Sequence, residues 1–288
     1  MNKLLRAVLP IALVAAGAMP SFAADYDPPI VIDAVDDYVP VEVGNGWYLR
    51  GDLGYSISTS GSGAFNYRTF DPLTSTYSGN SFATGRLSES LNYGIGFGYQ
   101  YNEWVRGDLT LSAFEGRFNG TTAGATPCID PAVDPAFAGT SCRSESGARF
   151  SAISFMANAY ADLGTYAGFT PYVGAGAGVT LVKWGNLRNN LYCVDGVGAC
   201  PAPGGAVGTT VHRGLDSWRF TYALMGGVAY DISKNLKLDL GYKYSRVAGG
   251  SMFAFDAGSA ATGASGVQGR DPGFSQHEVR VGLRYALW

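Results

Sequence analysis

The chain has 288 residues, carries 20 Lys and Arg against 23 Asp and Glu for a formal net charge of -3, and is only 15% charged. Soluble domains average about 25% charged residues, and a slightly acidic chain offers no counter-charge to a phosphate backbone. A cytosolic enzyme and a nucleic-acid binder are both disfavoured, whereas 41 glycines and 18 tyrosines without an internal helical span point to strands that cross a bilayer.

The chain begins Met1-Asn2-Lys3-Leu4-Leu5-Arg6, continues apolar through Met19 and places Ser21 and Ala23 on either side of Phe22. A basic start, an apolar run and a small-residue site mark residues 1–23 as a signal peptide with cleavage after Ala23. Loss of Lys3 and Arg6 takes the 20 basic residues to 18 against 23 acidic ones, a mature balance of -5. Residues 24–45 hold Asp25, Asp27, Asp33, Asp36, Asp37 and Glu42 with no basic residue, which predicts an acidic periplasmic lead too polar to order itself. The aspartates lack the spacing of a calcium loop.

From residue 46 the hydropathy alternates with a period of two. A first strand over 46–57 sets Trp47, Leu49, Leu53 and Tyr55 against Tyr48, Arg50, Asp52 and Ser56. A second over 91–99 sets Leu91, Tyr93, Ile95, Phe97 and Tyr99 against Asn92 and three glycines, and a third over 105–113 sets Val105, Leu109 and Leu111 against Arg106, Asp108 and Thr110. The pattern returns at 149–163, 171–181, 217–231 and 236–245, and ends at 276–288, where Val279, Val281, Leu283, Tyr285 and Leu287 alternate with Glu278, Arg280, Gly282 and Arg284.

Eight such strands of roughly bilayer-crossing length predict an all-β, eight-stranded antiparallel up-and-down transmembrane β-barrel over residues 46–288. Its apolar face meets lipid and its charged face points inward. The connections at 101–103, 164–170 and 232–235 are short, whereas those at 58–90, 117–147, 183–216 and 246–275 are long. Short periplasmic turns opposite long extracellular loops are an outer-membrane arrangement. Trp47, Tyr99, Tyr230 and Tyr285 then fall near the periplasmic ends, and Tyr55, Trp218 and Tyr244 near the outer ends, as two interfacial belts. The Gly, Ser, Thr and Ala content of the loops predicts adaptable surface without a preformed pocket.

A barrel of this size is filled by its own side chains. The inward set gathers Arg50, Arg106, Lys237 and Arg284 with Asp52, Asp108, Asp162, Asp231 and Asp239. Unpaired charges in a narrow lumen are costly, so mixed signs predict a paired network that closes it. The alternative is a narrow diffusion channel with water threading between the pairs. The inward rows Gly94-x-Gly96-x-Gly98 and Gly174-x-Gly176-x-Gly178 leave room for neighbouring large groups. Neither row opens a helix, so neither is a phosphate loop.

Cys128, Cys142, Cys193 and Cys200 fall outside the strands. In an exported chain they are expected to oxidise, and of three possible pairings local loop closure favours Cys128 with Cys142 and Cys193 with Cys200. No Cys-x-x-Cys spacing supports a metal site. No catalytic residue or cofactor is expected. A remote alternative is an outer-leaflet lipid hydrolase built on Ser275 and His277, which share a face near the outer end of the last strand, about 7 Å apart. His212 lies in a loop with no second haem ligand in view.

The terminal strand resembles the C-terminal targeting signal of bacterial outer-membrane barrels, with Gly282, Tyr285, Leu287 and Trp288 as its matching residues. That resemblance implies recognition by the barrel-assembly machinery. Residues 46–55 (GWYLRGDLGY), 171–176 (PYVGAG) and 238–244 (LDLGYKY) resemble the small opacity-type outer-membrane proteins and surface antigens of alphaproteobacteria, an OmpA-like class of barrel. The similarity covers the strands and not the long loops. It implies a place in the outer membrane amid lipid and lipopolysaccharide, a role in envelope integrity, and contact of the loops with a host or surface ligand.

Overall fold

The structure is a computed structural model that describes residues 46–60, 65–88, 90–125, 128–129, 134–194, 198–200 and 203–287. The expected signal peptide at 1–23, the acidic lead at 24–45 and Trp288 lie outside these residues. Among the described residues, thirteen strands form one antiparallel sheet. They are β1 (Gly46–Ser60), β2 (Asn66–Asp71), β3 (Thr76–Ser81), β4 (Thr84–Leu87), β5 (Ser90–Gln100), β6 (Val105–Ala125), β7 (Cys142–Asp162), β8 (Phe169–Trp184), β9 (Leu187–Cys193), β10 (Ala206–His212), β11 (Asp216–Asp231), β12 (Leu236–Ala254) and β13 (Val267–Ala286). Eight of them close a ring in the order β1, β5, β6, β7, β8, β11, β12, β13 and back to β1.

The short connections are tight for local reasons. Asn102 Oδ1 accepts from the backbone N–H groups of Trp104 and Val105 at 2.9 and 2.8 Å, an Asx turn that reverses the chain between β5 and β6. Between β7 and β8, Gly164 and Gly168 take positive φ values of 91° and 81°, a region open to glycine at little cost. The Ile232 N–H reaches the Leu236 carbonyl at 2.9 Å to close the third turn.

Sidedness follows the alternation. Leu53, Ile95, Leu109 and Val279 are 64%, 65%, 65% and 70% exposed, while Arg50, Arg106, Asp239 and Arg284 are 5%, 1%, 3% and 5% exposed. A soluble barrel shows the reverse, with its apolar residues inside. This outer wall suits hydrocarbon. Its upper limit is a single row across four strands, where Glu115 pairs with Ser151, Ser151 with Lys183 and Lys183 with Asp216. One residue pair below, Ala113, Ile153, Leu181 and Trp218 still hold the apolar wall.

The strands do not stop at that row. β6, β7, β12 and β13 run to 21, 21, 19 and 20 residues, about twice the length that spans a bilayer. The expectation of adaptable outer loops is corrected here, since those segments are largely strands. Above the membrane the two faces exchange character. The wall meets water and turns polar, while the inward positions become Phe114, Phe118, Phe150, Trp184, Met252 and Phe274, all buried in one aromatic cluster. A composition averaged over each loop hides this, because polar residues such as Glu115, Arg117, Arg143 and Glu145 occupy the alternate, water-facing positions.

The outer extension is completed by smaller strands, and we call it the cup. The β2–β3 hairpin joins β13, β4 joins β6, and the β9–β10 hairpin takes over the flank of β7 that β8 leaves at Trp184. Cys142 and Cys193 stand directly opposite on β7 and β9. Each bonds a partner from its own connection, Cys128 with Cys142 and Cys193 with Cys200. The two disulfides pack together, with 3.8 Å between the sulfurs of Cys128 and Cys200.

Candidate functional site: a filled lumen below an extracellular pocket

The lower storey of the interior is ionic. Arg50 on β1 is its hub, with Nη2 2.7 Å from Asp52 and Nη1 2.9 Å from Asp108 on β6. The same Nη1 donates to Tyr160 Oη on β7 at 3.0 Å, three strands away around the ring. Asp108 also accepts from Asn158 at 2.7 Å and from Tyr48 at 3.2 Å. Arg106 meets Asp162 at 3.0 Å and lies over the Tyr160 ring at 4.1 Å. Arg284 meets Asp239 at 3.2 Å. Lys237 and Asp231 pair at 2.6 Å but are each 33% exposed, which places them at the periplasmic rim, outside the dry network.

The glycine rows make room for this packing. A Cβ at Gly96 would lie 2.8 Å from Arg50 Cγ, and one at Gly174 would lie 2.5 Å from Tyr160. At Gly98 the obstacles are Tyr48 Oη at 2.5 Å and the Gly107 carbonyl at 2.6 Å. Large inward side chains on β1 and β7 therefore require bare backbone on β5 and β8.

Other inward charges lie outside the expected set. Lys243 and Glu278 are register partners, and Glu278 accepts from Asn92 at 2.6 Å. Arg280 is 7% exposed. Higher up, Arg219 Nη1 meets Asp271 at 2.8 Å with side chains 0% and 1% exposed. The alternation of β13 already placed Glu278 and Arg280 inward. Asp271 carried no such signal, because it sits in a segment that reads as loop.

The upper storey is mainly aromatic, around the Arg219–Asp271 pair. Phe114, Phe150 and Phe274 meet with ring centroids 6.0 to 6.3 Å apart, and Trp184 joins Phe150 at 4.9 Å and Phe253 at 5.4 Å. Above them is a pocket of about 170 Å³ lined by both kinds of residue. Tyr67, Phe82, Leu187 and Phe253 supply apolar walls, and Asn189, Thr210, His212 and Gln268 supply polar atoms. His212 is 6% exposed. Burial holds its imidazolium pKa below the ordinary 6.5, opposed by the Asp256 carboxylate, the Gln268 side chain and the Ala254 backbone.

Ser275 and His277 make separate contacts. His277 Nδ1 lies 2.5 Å from Tyr242 Oη, while Ser275 Oγ lies 3.1 Å from Tyr244 Oη and 3.3 Å from Arg246. The sulfurs of Cys128, Cys142 and Cys200 lie within 4.8 Å of one another, but all three belong to disulfides and present no thiolate to a metal. Gly282 faces Asp52 on β1, and Tyr285 and Leu287 are exposed on the lipid side near the periplasmic end.

A closed antiparallel ring with an apolar exterior, an ionic axis and short turns at one end is a transmembrane barrel of the outer-membrane kind. The chain belongs to the outer membrane protein beta-barrel domain family, whose profile matches residues 9–286. It is an outer-membrane protein, as its strand motifs led us to expect. An uncharacterized protein of Brucella suis biovar 1 is 36% identical over 270 residues, covering 89% of this chain and 90% of the relative. One from Brucella melitensis biotype 1 is 35% identical with the same coverage. Among solved structures, Neisserial surface protein A is similar with 15% identity, a TM-score of 0.41 and coverage of 85% of this chain and 99% of that one. OprG from Pseudomonas aeruginosa has 12% identity, a TM-score of 0.44 and coverage of 84% and 96%.

Proposed function

We propose that the protein is a sealed, non-catalytic anchor that contributes to envelope integrity and displays its cup as a surface for contact with host or environmental ligands. The observation that carries this is the double closure of the axis. Arg50 ties β1 to β6 and β7 in the lower storey, and the Phe150 and Phe274 rings meet across the upper one. A filled axis leaves the folded cup as the part of the protein able to meet a partner. Surface antigenicity, contact with lipopolysaccharide around the wall and recognition by the barrel-assembly machinery belong to the same reading.

The competing function is narrow diffusion, and electrical recording separates the two. Purified protein inserted into planar bilayers is expected to give no stable conducting state. Reproducible single-channel steps that scale with salt concentration would contradict the seal and favour the channel.

A further inference from the structure

We propose that the pocket at the mouth of the cup binds one neutral pyranose ring, such as the terminal sugar of a surface glycan. The inference rests on reading the cup as a contact surface and names the chemistry it would contact.

Size comes first. An apolar cavity of about 150 Å³ holds one six-membered ring, and this pocket is about 170 Å³. Its lining then selects the ring. Tyr67, Phe82 and Phe253 offer apolar faces, and Phe82 and Phe253 rest on Phe118 and Trp184 of the aromatic cluster beneath. Among the described residues, no Asp, Glu, Lys or Arg lines the pocket. An ionised ligand would therefore lose its hydration without gaining a counter-charge.

A purely apolar ligand is excluded by the opposite wall. Asn189 Oδ1 and His212 Nδ1 are buried there without a hydrogen-bond partner. Buried polar atoms in folded proteins are almost always satisfied, so such pairs call for an explanation. His212 is fixed by the register of β10 against β9, which sets Thr210 opposite Asn189 and His212 opposite Leu187. Its Nε2 lies 3.4 Å from Thr210 Oγ1, and the Gln268 side chain and Ala254 backbone adjoin the ring. The result is one acceptor, one imidazole nitrogen able to donate or accept, and hydroxyl and amide neighbours facing an aromatic wall. A sugar ring presents C–H groups on one side and hydroxyls around its edge, and satisfies both. The imidazole stays neutral near pH 7, in keeping with an uncharged partner.

The test uses the full-length barrel in lauryldimethylamine oxide, a detergent without a sugar headgroup. Saturation-transfer NMR is recorded with methyl β-glucopyranoside, N-acetylglucosamine, glucuronate and cyclohexanol. At least one of the two neutral sugars is expected to bind with a Kd of about 1 mM, and glucuronate and cyclohexanol about tenfold more weakly. Asn189→Ala and His212→Phe each weaken the sugar about tenfold, with folding checked by the heat-dependent gel shift. Asn189→Ala alone decides the matter if His212→Phe does not fold. No transfer to either sugar overturns the proposal, as does transfer unchanged by Asn189→Ala or glucuronate binding as tightly as the neutral rings. Each of those failures leaves the sealed axis intact, because that is read from current and not from sugar binding.

Discussion

Phe150 on β7 and Phe274 on β13 belong to strands four places apart in an eight-strand ring, on opposite walls, yet their ring centroids are 6.0 Å apart. Two side chains thus bridge the barrel above the ionic layer. Truncating a buried Phe to Ala costs about 3–5 kcal/mol, and we expect Phe274→Ala to fall in that range by denaturant unfolding in micelles. The same variant should stay non-conducting, because the layer around Arg50 still closes the axis. A loss well under 1 kcal/mol would mean that the two walls do not meet.

Arg50 gives the second prediction. Removing one partner of a buried pair is destabilising by about 3–5 kcal/mol, because the other is left without compensation. Arg50→Ala strands both Asp52 and Asp108 and should lower stability by at least that much. Gly98→Ala, which forces a methyl group against Tyr48 Oη and the Gly107 carbonyl, should cost about 1–3 kcal/mol as overpacking. A Gly98→Ala barrel as stable as the parent would show that Tyr48 does not pack where it is placed.

These two sites also show what could be read in advance. The ring, its sidedness and its ionic lower storey were legible because strict alternation at Arg50, Arg106, Asp239 and Arg284 fixes the inward face residue by residue. The partners within that face were not legible, since pairing between β1 and β7 depends on closure. The cup was hidden for a different reason. Phe114 and Phe118 alternate with the outward polar residues Glu115, Arg117 and Asn119, so period-two order survives but its apolar half points inward instead of outward. His212 and Asn189 come together through the β9–β10 hairpin, which joins stretches that carry no strong strand signal.

The disulfides lie in the cup, where β7 and β9 pair. A bond closing a loop of 15 residues contributes about 3 kcal/mol, and Cys128 and Cys142 are 14 apart in sequence. Reduction should therefore speed limited proteolysis around residues 128–142 and 193–200 while leaving the gel mobility of the folded barrel unchanged. Loss of the folded band on reduction would mean that cup and ring unfold together.

His212 predicts a pH dependence confined to the cup. Its folded pKa lies below the ordinary 6.5 because burial disfavours the charged ring, against the pull of the Asp256 carboxylate, the Gln268 side chain and the Ala254 backbone. The unfolded cup therefore binds the proton more tightly. Stability is full above 6.5 and declines as pH falls from there toward the depressed folded value. Protection of the β9 and β10 amides, corrected for the slower intrinsic exchange at lower pH, should fall between pH 7 and pH 5, and His212→Phe should abolish that fall. A loss of protection that persists in the variant would assign it to another group.

The most direct measurement takes advantage of the absence of free cysteines among the described residues. A single cysteine introduced in turn at each position from 173 to 184 on β8 can carry a nitroxide, and the labelled barrel can be reconstituted in lipid bilayers. Oxygen accessibility should be high at Val173, Ala175, Ala177 and Val179 and low at the intervening positions, with lipid contact giving way to a water-soluble relaxant at Lys183. Uniform accessibility along the strand, or the opposite phase, would contradict a wall clad in apolar side chains around a filled axis.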